Sequence, residues 1–143
     1  MKLREIMSKE VVRIHPEENV TVAARMLANY NIGAIPVCGS DGRVCGMVTD
    51  RDIVTRCLAA GKVPAATAVK NVMTPRVIVA RPDMDADTAA YLMGREQIRR
   101  LPVMENGKLC GMVSLGDLAG KEETVSEAEA ALVRISSHLS SRE

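Results

Sequence analysis

CGMVTDRDI (residues 45–53) returns as CGMVSLGDL (residues 110–118), and the match continues outward from both copies. At an offset of 66 residues, Ile6-Met7-Ser8 falls on Val72-Met73-Thr74, Pro16 on Pro82, Glu17 on Asp83, and Ile35-Pro36-Val37 on Leu101-Pro102-Val103. One residue drops out near Ser40-Asp41, so the offset is 65 across the quoted stretch. So many matched points in a fixed order mark a tandem duplication, which has to be recognised before any element is assigned. The predicted boundaries are a first repeat over residues 1–62, a linker over 63–71 rich in Pro and small residues, a second repeat over 72–120, and a C-terminal amphipathic helix over 121–143.

Each copy carries the same local signals. Val11 to Ile14 and Val77 to Ala80 are short β-rich runs ended by His15-Pro16 and Arg81-Pro82, and the residue before a proline is driven away from helix. Val22, Ala23, Met26, Leu27 and Tyr30, and then Ala86, Ala89, Ala90 and Met93, recur at the three- and four-residue spacing of a helix with one apolar face. Two apolar runs follow, Ala34 to Cys38 and Val44 to Val48, around an Asp-Gly turn signal at residues 41–42. Asn106-Gly107 takes that role in the second copy. A further helix is predicted from Asp50 to about Ala60, closed by Gly61. The fold class is therefore α+β, a β-α-β-β-α unit used twice. Roughly 60 residues bury too little surface to stand comfortably alone, so the two copies are expected to pack with pseudo-two-fold symmetry into one module with ligand-sized clefts at the seam.

Composition narrows the function. Of 143 residues, 47% are hydrophobic and 1% aromatic, with no Phe or Trp, so the core must be aliphatic and stacking platforms for RNA or single strands are disfavoured. A net charge of +1 gives no global reason to expect nucleic acid or a membrane surface as partner. No apolar stretch is long enough to span a bilayer, and the charged start MKLREIMSKE does not read as a signal peptide, so the expected location is cytoplasmic. Cys38, Cys45, Cys57 and Cys110 contain no CxxC pair, and they read as small apolar residues rather than a zinc or disulfide framework. No metal ligands are assigned.

The doubled unit, the IMS and VMT openings, the AIPV and RLPV strands, and GMVTDRD with GMVSLGD resemble a pair of CBS domains, the Bateman module, over about residues 3 to 120. The resemblance implies a sensor of adenosine-containing ligands such as AMP, ADP, ATP, S-adenosylmethionine or NAD(H). It also implies that occupancy is passed to a partner protein, and that pairs associate as homodimers. It makes Thr49 and Asp52, and Ser114 and Asp117, the family's [ST]-x-x-D positions.

Physical chemistry gives those positions content. An ionised Asp at the start of a helix can accept from both ribose hydroxyls, since its oxygens are acceptors only. The Thr or Ser hydroxyl and the free N–H groups of the helix start suit phosphate. The same pattern is also a capping box, which would only terminate a helix. Gly33 and Ala34 in the first copy stand where Arg99 and Arg100 stand in the second. Strand side chains alternate, so one of the two arginines is expected in the cleft, and Arg100, next to Leu101-Pro102, is the candidate for phosphate. Arg51 and Arg56 are candidates in the first copy, and Gly116 replaces Arg51 in the second. One strong and one weak site are expected. Val12, Ile35 and Pro36, with Val77, Leu101 and Pro102, are the candidates for an aliphatic adenine pocket, against the alternative of plain core packing.

No catalytic motif is present, and His15 and His138 stand in no recognisable nucleophile or metal spacing. No cofactor is required and the chain is not expected to be an enzyme. In the tail, Thr124 and Glu127 form a capping-box pattern, and Val125, Ala128, Leu132, Ile135 and Leu139 make an apolar stripe too short to be stable without a surface to lie on. That surface is either the chain's own module or a partner. Two functions follow: a non-catalytic module sensing an adenine nucleotide between its repeats, or a ligand-free interaction module acting through its dimer surface and C-terminal helix. Use of the cysteines in a metal or redox response is a third, weaker reading.

Overall fold

In a computed structural model, residues 1–140 are described, with side chains described through residue 137. The stripe residue Leu139 and the side chain of His138 therefore lie outside the described side chains. The elements run α1 (Val20–Tyr30), β1 (Ala34–Cys38), β2 (Val44–Thr49), a single turn α2 (Asp50–Asp52) that continues as the π-helical segment Ile53–Leu58, then α3 (Ala86–Glu96), β3 (Arg100–Glu105), β4 (Lys108–Ser114), α4 (Leu115–Ala119) and α5 (Val125–Ser140). The chain is α+β, with one two-stranded sheet, β1-β2 or β3-β4, in each repeat.

The expected first strand of each repeat is reduced to one paired residue, and the proline of the next strand explains it. Ile14 bridges Val37 in parallel, donating to Pro36 O at 3.1 Å and accepting from Cys38 N at 2.9 Å. Extending that ladder one step toward Val12 would need an N–H from Pro36, which proline lacks. Ala80 sits identically between Pro102 O, at 2.9 Å, and Met104 N, at 2.8 Å, and Pro102 stops the ladder in the same way.

The turn signals place their residues as expected. Gly42 at φ 82°, Asn106 at 53° and Gly107 at 77° occupy the left-handed region that such hairpin turns demand. Gly61, at φ 74°, follows the second helix of the first copy. That helix is π-helical over most of its length and ends at Leu58 rather than Ala60.

The chain divides into two compact units, and each borrows its edge from the other repeat's opening. One unit holds residues 12–77 with 107–109, and the other holds residues 1–11, 78–106 and 110 onward. Within the first, Thr74 pairs with Met47 of β2 through N–H to O bonds of 2.8 and 2.9 Å. Within the second, Ser8 pairs with Met112 of β4 at 2.8 and 2.9 Å. The glycine of each CGMV makes this crossing possible. A Cβ on Gly46 would lie 2.5 Å from Met73 Sδ and 2.9 Å from Thr74 O, and one on Gly111 would lie 2.5 Å from Met7 Sδ and 3.1 Å from Ser8 O. Ion pairs fasten both openings. Lys70 reaches Glu17 at 2.6 Å and Lys2 reaches Asp85 at 3.0 Å, and each lysine holds its partner's carboxyl below the usual carboxylate range.

Each unit has its own aliphatic core. Ile14, Val20, Ala23, Leu27, Val48 and Val69 are among the buried residues of the first. Leu3, Ala90, Met93, Val103, Leu118 and Ile135 are among those of the second. Tyr30, expected on the apolar face of α1, is 59% exposed, because the chain leaves the helix at once through Asn31, a left-handed C-cap at φ 52°.

The tail packs back on its own unit through a stripe that keeps Ala128 and Ile135 of the predicted set but takes Ala131 in place of Leu132. Thr124, Ala128, Ala131 and Ile135 are buried, whereas Leu132 is 43% exposed. Small residues win because the helices approach closely: a Cβ on Gly94 of α3 would stand 3.1 Å from Ala131 Cα, a gap that Leu132 could not enter. Arg134 lies over the Tyr91 ring, 5.3 Å from its centroid. The Thr124 hydroxyl donates to Leu118 O at 2.6 Å, tying the start of α5 to α4 rather than serving the expected capping box.

Candidate functional site

The two [ST]-x-x-D motifs sit where a β-strand hands over to a helix. Thr49 ends β2 in extended conformation and Asp52 is the third residue of the turn that follows. Ser114 and Asp117 stand likewise at the junction of β4 and α4. Both are reciprocal capping boxes. Asp52 N donates to Thr49 Oγ1 and Thr49 N to Asp52 Oδ2, both at 3.0 Å. Asp117 N donates to Ser114 Oγ at 3.0 Å and Ser114 N to Asp117 Oδ2 at 2.8 Å. The capping alternative is thus realised at both motifs, and what separates them is the rest of each carboxylate.

Asp52 is buried and has partners beyond its cap. The Thr74 hydroxyl donates to its two oxygens at 3.2 and 3.3 Å, and Arg56 Nε lies 3.9 Å from Oδ1. Arg56 also donates from Nη1 to Met73 O at 2.9 Å. The arginine thereby anchors the crossing segment, a role that composition and spacing did not reveal. Thr74 is likewise a motif partner that sequence reasoning missed, although its place in VMT opposite the strand of the other repeat was a signal to hand. Around the same helix start, Asp50 N donates to Gly33 O at 3.2 Å and Arg51 N to Asp50 Oδ1 at 2.8 Å. Arg51 itself points to an exposed position.

Asp117 is half-buried and partly open. Among the described residues nothing donates to its second oxygen, Oδ1. Ser8 stands where Thr74 stands in the other unit, paired through its backbone only. Leu115 replaces Asp50, so the N–H of Gly116 meets no carboxylate of that kind, and Leu115 N donates to Arg99 O at 2.8 Å. Arg100 is half-buried and Arg99 exposed. By the repeat offset Arg100 is the counterpart of Ala34, which pairs with Thr49.

The apolar candidates separate by burial. Ile35 and Leu101 are fully buried in their cores, and Pro36 and Pro102 are buried beside them. Val12 and Val77 are half-buried, and both belong to the unit of residues 12–77. Among the described residues there is no group of three or more His, Cys, Asp or Glu side chains placed to hold a metal ion. None of the helices described is long and apolar enough to cross a membrane.

Comparison with known proteins bears on this arrangement. Residues 3–59 and 69–124 each match the sequence profile of the CBS domain. The CBS domain-containing protein YhcV of Bacillus subtilis is 37% identical over 134 residues, 94% of either chain. Hypoxic response protein 1 of Mycobacterium tuberculosis is 34% identical over 116 residues, 81% of either chain. Among solved structures, the crystal structure of Hypoxic Response Protein I with two coordinated zinc ions superposes with a TM-score of 0.77 at 34% identity, over 83% of this chain and 97% of that one. The CBS domain pair of protein MJ0100, in complex with 5-methylthioadenosine and S-adenosyl-L-methionine, gives a TM-score of 0.74 at 28% identity, over 83% and 93% of the two chains.

Proposed function

The chain belongs to the CBS-domain family, and from that premise we propose that it is a non-catalytic regulatory module that binds an adenosine-containing small molecule at its second motif. The observation that carries the reading is the contrast between the two carboxylates: half-buried Asp117 takes a bond only on Oδ2 among the described residues, from the capped helix start, whereas Asp52 also takes the Thr74 hydroxyl and lies by Arg56. A ribose edge presents two hydroxyl donors, which a carboxylate with an open oxygen accepts. Arg100 supplies the guanidinium for a phosphate or other anionic end. Ser114 contributes a hydroxyl whose own proton is still available for donation. The aliphatic candidates for adenine are Val12, Val77, Ile35 and Pro36 in one unit, and Leu101 and Pro102 in the unit that holds the second motif. Thr49, Arg51 and Asp52 form the weaker site, since Thr49 and Asp52 are bonded to one another and Asp52 also takes the Thr74 hydroxyl. That a CBS pair of the same fold was crystallised with methylthioadenosine and S-adenosylmethionine supports the ligand class.

Thermal unfolding with AMP, ADP, ATP, NADH, S-adenosylmethionine and methylthioadenosine tests this. A ligand at a hundred times its dissociation constant adds about 2.7 kcal/mol, a rise of several degrees for a chain of this length. No rise with any of them would favour the second reading, an interaction module working as a homodimer or on an effector protein. That reading has its own observation: Val54 and Leu58, each 55% exposed, with Leu132 and Val133 on α5, leave apolar surface on the helices. Light scattering across a concentration series would detect the dimer.

A further inference from the structure

β1 and β2 pair antiparallel, with Ala34 opposite Thr49, Pro36 opposite Met47 and Val37 opposite Gly46. A β-bulge then shifts the register, so that Cys38 faces Val44 and Cys45 is the extra residue between two paired ones. The extra residue of a bulge stands unpaired beside the paired ones, which puts Cys45 next to the residue across from Cys38. The alternation of side chains agrees: Ile35, Val37 and Val48 point into the core, so Cys38 and Cys45 lie on the other face, with Ala34, Met47 and Thr49. The Cys45 thiol already leans across the ladder, donating to Val37 O at 3.4 Å, the carbonyl bonded to Cys38's own nitrogen. Both cysteines are free thiols, one exposed and one buried.

We propose that Cys38 and Cys45 are a redox pair that closes a reversible cross-strand disulfide when a peroxide reaches the hairpin. The exposed Cys45 thiolate attacks a peroxide oxygen, the O–O bond breaks, and the departing hydroxide takes a proton to leave as water, with Cys45 oxidised to a sulfenic acid. The Cys38 sulfur then attacks the Cys45 sulfur, the S–O bond breaks, and hydroxide leaves with the Cys38 proton as a second water. Two thiols lose two electrons and two protons, and one hydrogen peroxide becomes two waters. Burial pushes the Cys38 thiol above its ordinary pKa, which keeps it protonated and shielded from oxidant until the sulfenic acid forms beside it. Even directly opposed Cβ atoms on antiparallel strands stand about 4.5–5.5 Å apart, whereas a disulfide needs about 3.8 Å. The bulge has to yield by roughly 1 Å, and such a strained bond is readily reduced again.

The second repeat is an internal control. Cys110 occupies the place of Cys45 and donates to Val103 O at 3.3 Å in the same way, but Met104 stands where Cys38 would be. The pair is therefore peculiar to the first repeat, and it holds or fails independently of the nucleotide reading.

Arg43 lies between the two cysteines, so tryptic cleavage separates them and only a disulfide keeps their peptides joined. The native protein is treated with hydrogen peroxide, blocked with iodoacetamide, digested and read by mass spectrometry. The expected result is a linked Cys38–Cys45 peptide pair, lighter by two hydrogens and released by dithiothreitol, with Cys110 never linked within the chain. In C38S, Cys45 should instead accumulate as a dimedone-reactive sulfenic acid. Wild-type protein in which Cys45 is oxidised while Cys38 stays fully alkylated, or in which Cys45 links only between chains, would overturn the proposal. The wild-type digest decides alone should C38S fail to fold.

Discussion

The two [ST]-x-x-D motifs have the same local geometry and different surroundings. At residues 49–52 the aspartate is buried and takes bonds from Thr49 N and the Thr74 hydroxyl, with Arg56 close by. At residues 114–117 the capping box is kept, but the outer partners are gone and one oxygen is left open. A duplicated motif can thus keep its cap in both copies while its carboxylate is tied to further partners in only one. What decides the division lies outside the motif, at Thr74 against Ser8 and at Asp50 against Leu115.

The sharpest way to break this comparison is to remove each carboxylate in turn. Asp52→Ala deletes a cap and leaves the Thr74 hydroxyl and Thr49 N–H without their acceptor. It should cost about 3 kcal/mol, a fall in Tm on the order of 10 °C by calorimetry, whereas Asp117→Ala should cost about 1 kcal/mol. Equal losses would mean that the first aspartate fastens nothing extra. The ligand side is next in size. Asp117→Ala should weaken binding of whichever adenosine compound raises Tm by roughly 30-fold in calorimetric titration, since a hydrogen bond to a charged group is worth about 1.5–3 kcal/mol. Retained affinity would remove the site from the second motif.

The crossing glycines test whether the two openings are equally tight. Gly46→Ala puts a Cβ against the backbone oxygen of Thr74 as well as the flexible Met73, and should cost about 2 kcal/mol in urea unfolding. Gly111→Ala, whose Cβ would clear Ser8 O by a little more, should cost slightly less. The smallest effect is expected from the hydroxyls themselves. Thr74→Val should lose about 1 kcal/mol and Ser8→Ala almost nothing, and a reversal of that order would contradict the assignment of Thr74 to Asp52.

Much of the fold was legible because the repeat offset could be read before any element was assigned. The hairpins came from Asp41-Gly42 and Asn106-Gly107, of which Gly42, Asn106 and Gly107 take positive φ, and the helices from apolar spacing. The first strands were overcalled, since a run such as Val11 to Ile14 reads as β without regard to whether its neighbour can donate, and Pro36 cannot. The α5 stripe was misplaced because hydrophobic spacing favours Leu132, while the close approach at Gly94 selects Ala131. At the site, the capping pairs were visible as spacing within seven residues. Thr74 was not, because its link to Asp52 depends on which repeat's opening crosses which sheet, a three-dimensional exchange that local spacing does not encode; Arg56 stands one helical turn from Asp52, but its bond to Met73 O depends on the same crossing.

That exchange also sets an order for folding during synthesis. The unit of residues 12–77 can close once Thr74 has emerged, by joining segments some 27 residues apart, Met47 with Thr74. Ser8, made first, has to wait for Met112. The longer closure carries about 1 kcal/mol more entropy cost, and until it is made the leading segment has no sheet to join. The segment around Ser8 is thus among the last to find its place, and a nascent chain halted once Thr74 has cleared the ribosome but before Met112 has should already protect the amides of Met47 and Thr74 from exchange while leaving that of Ser8 open.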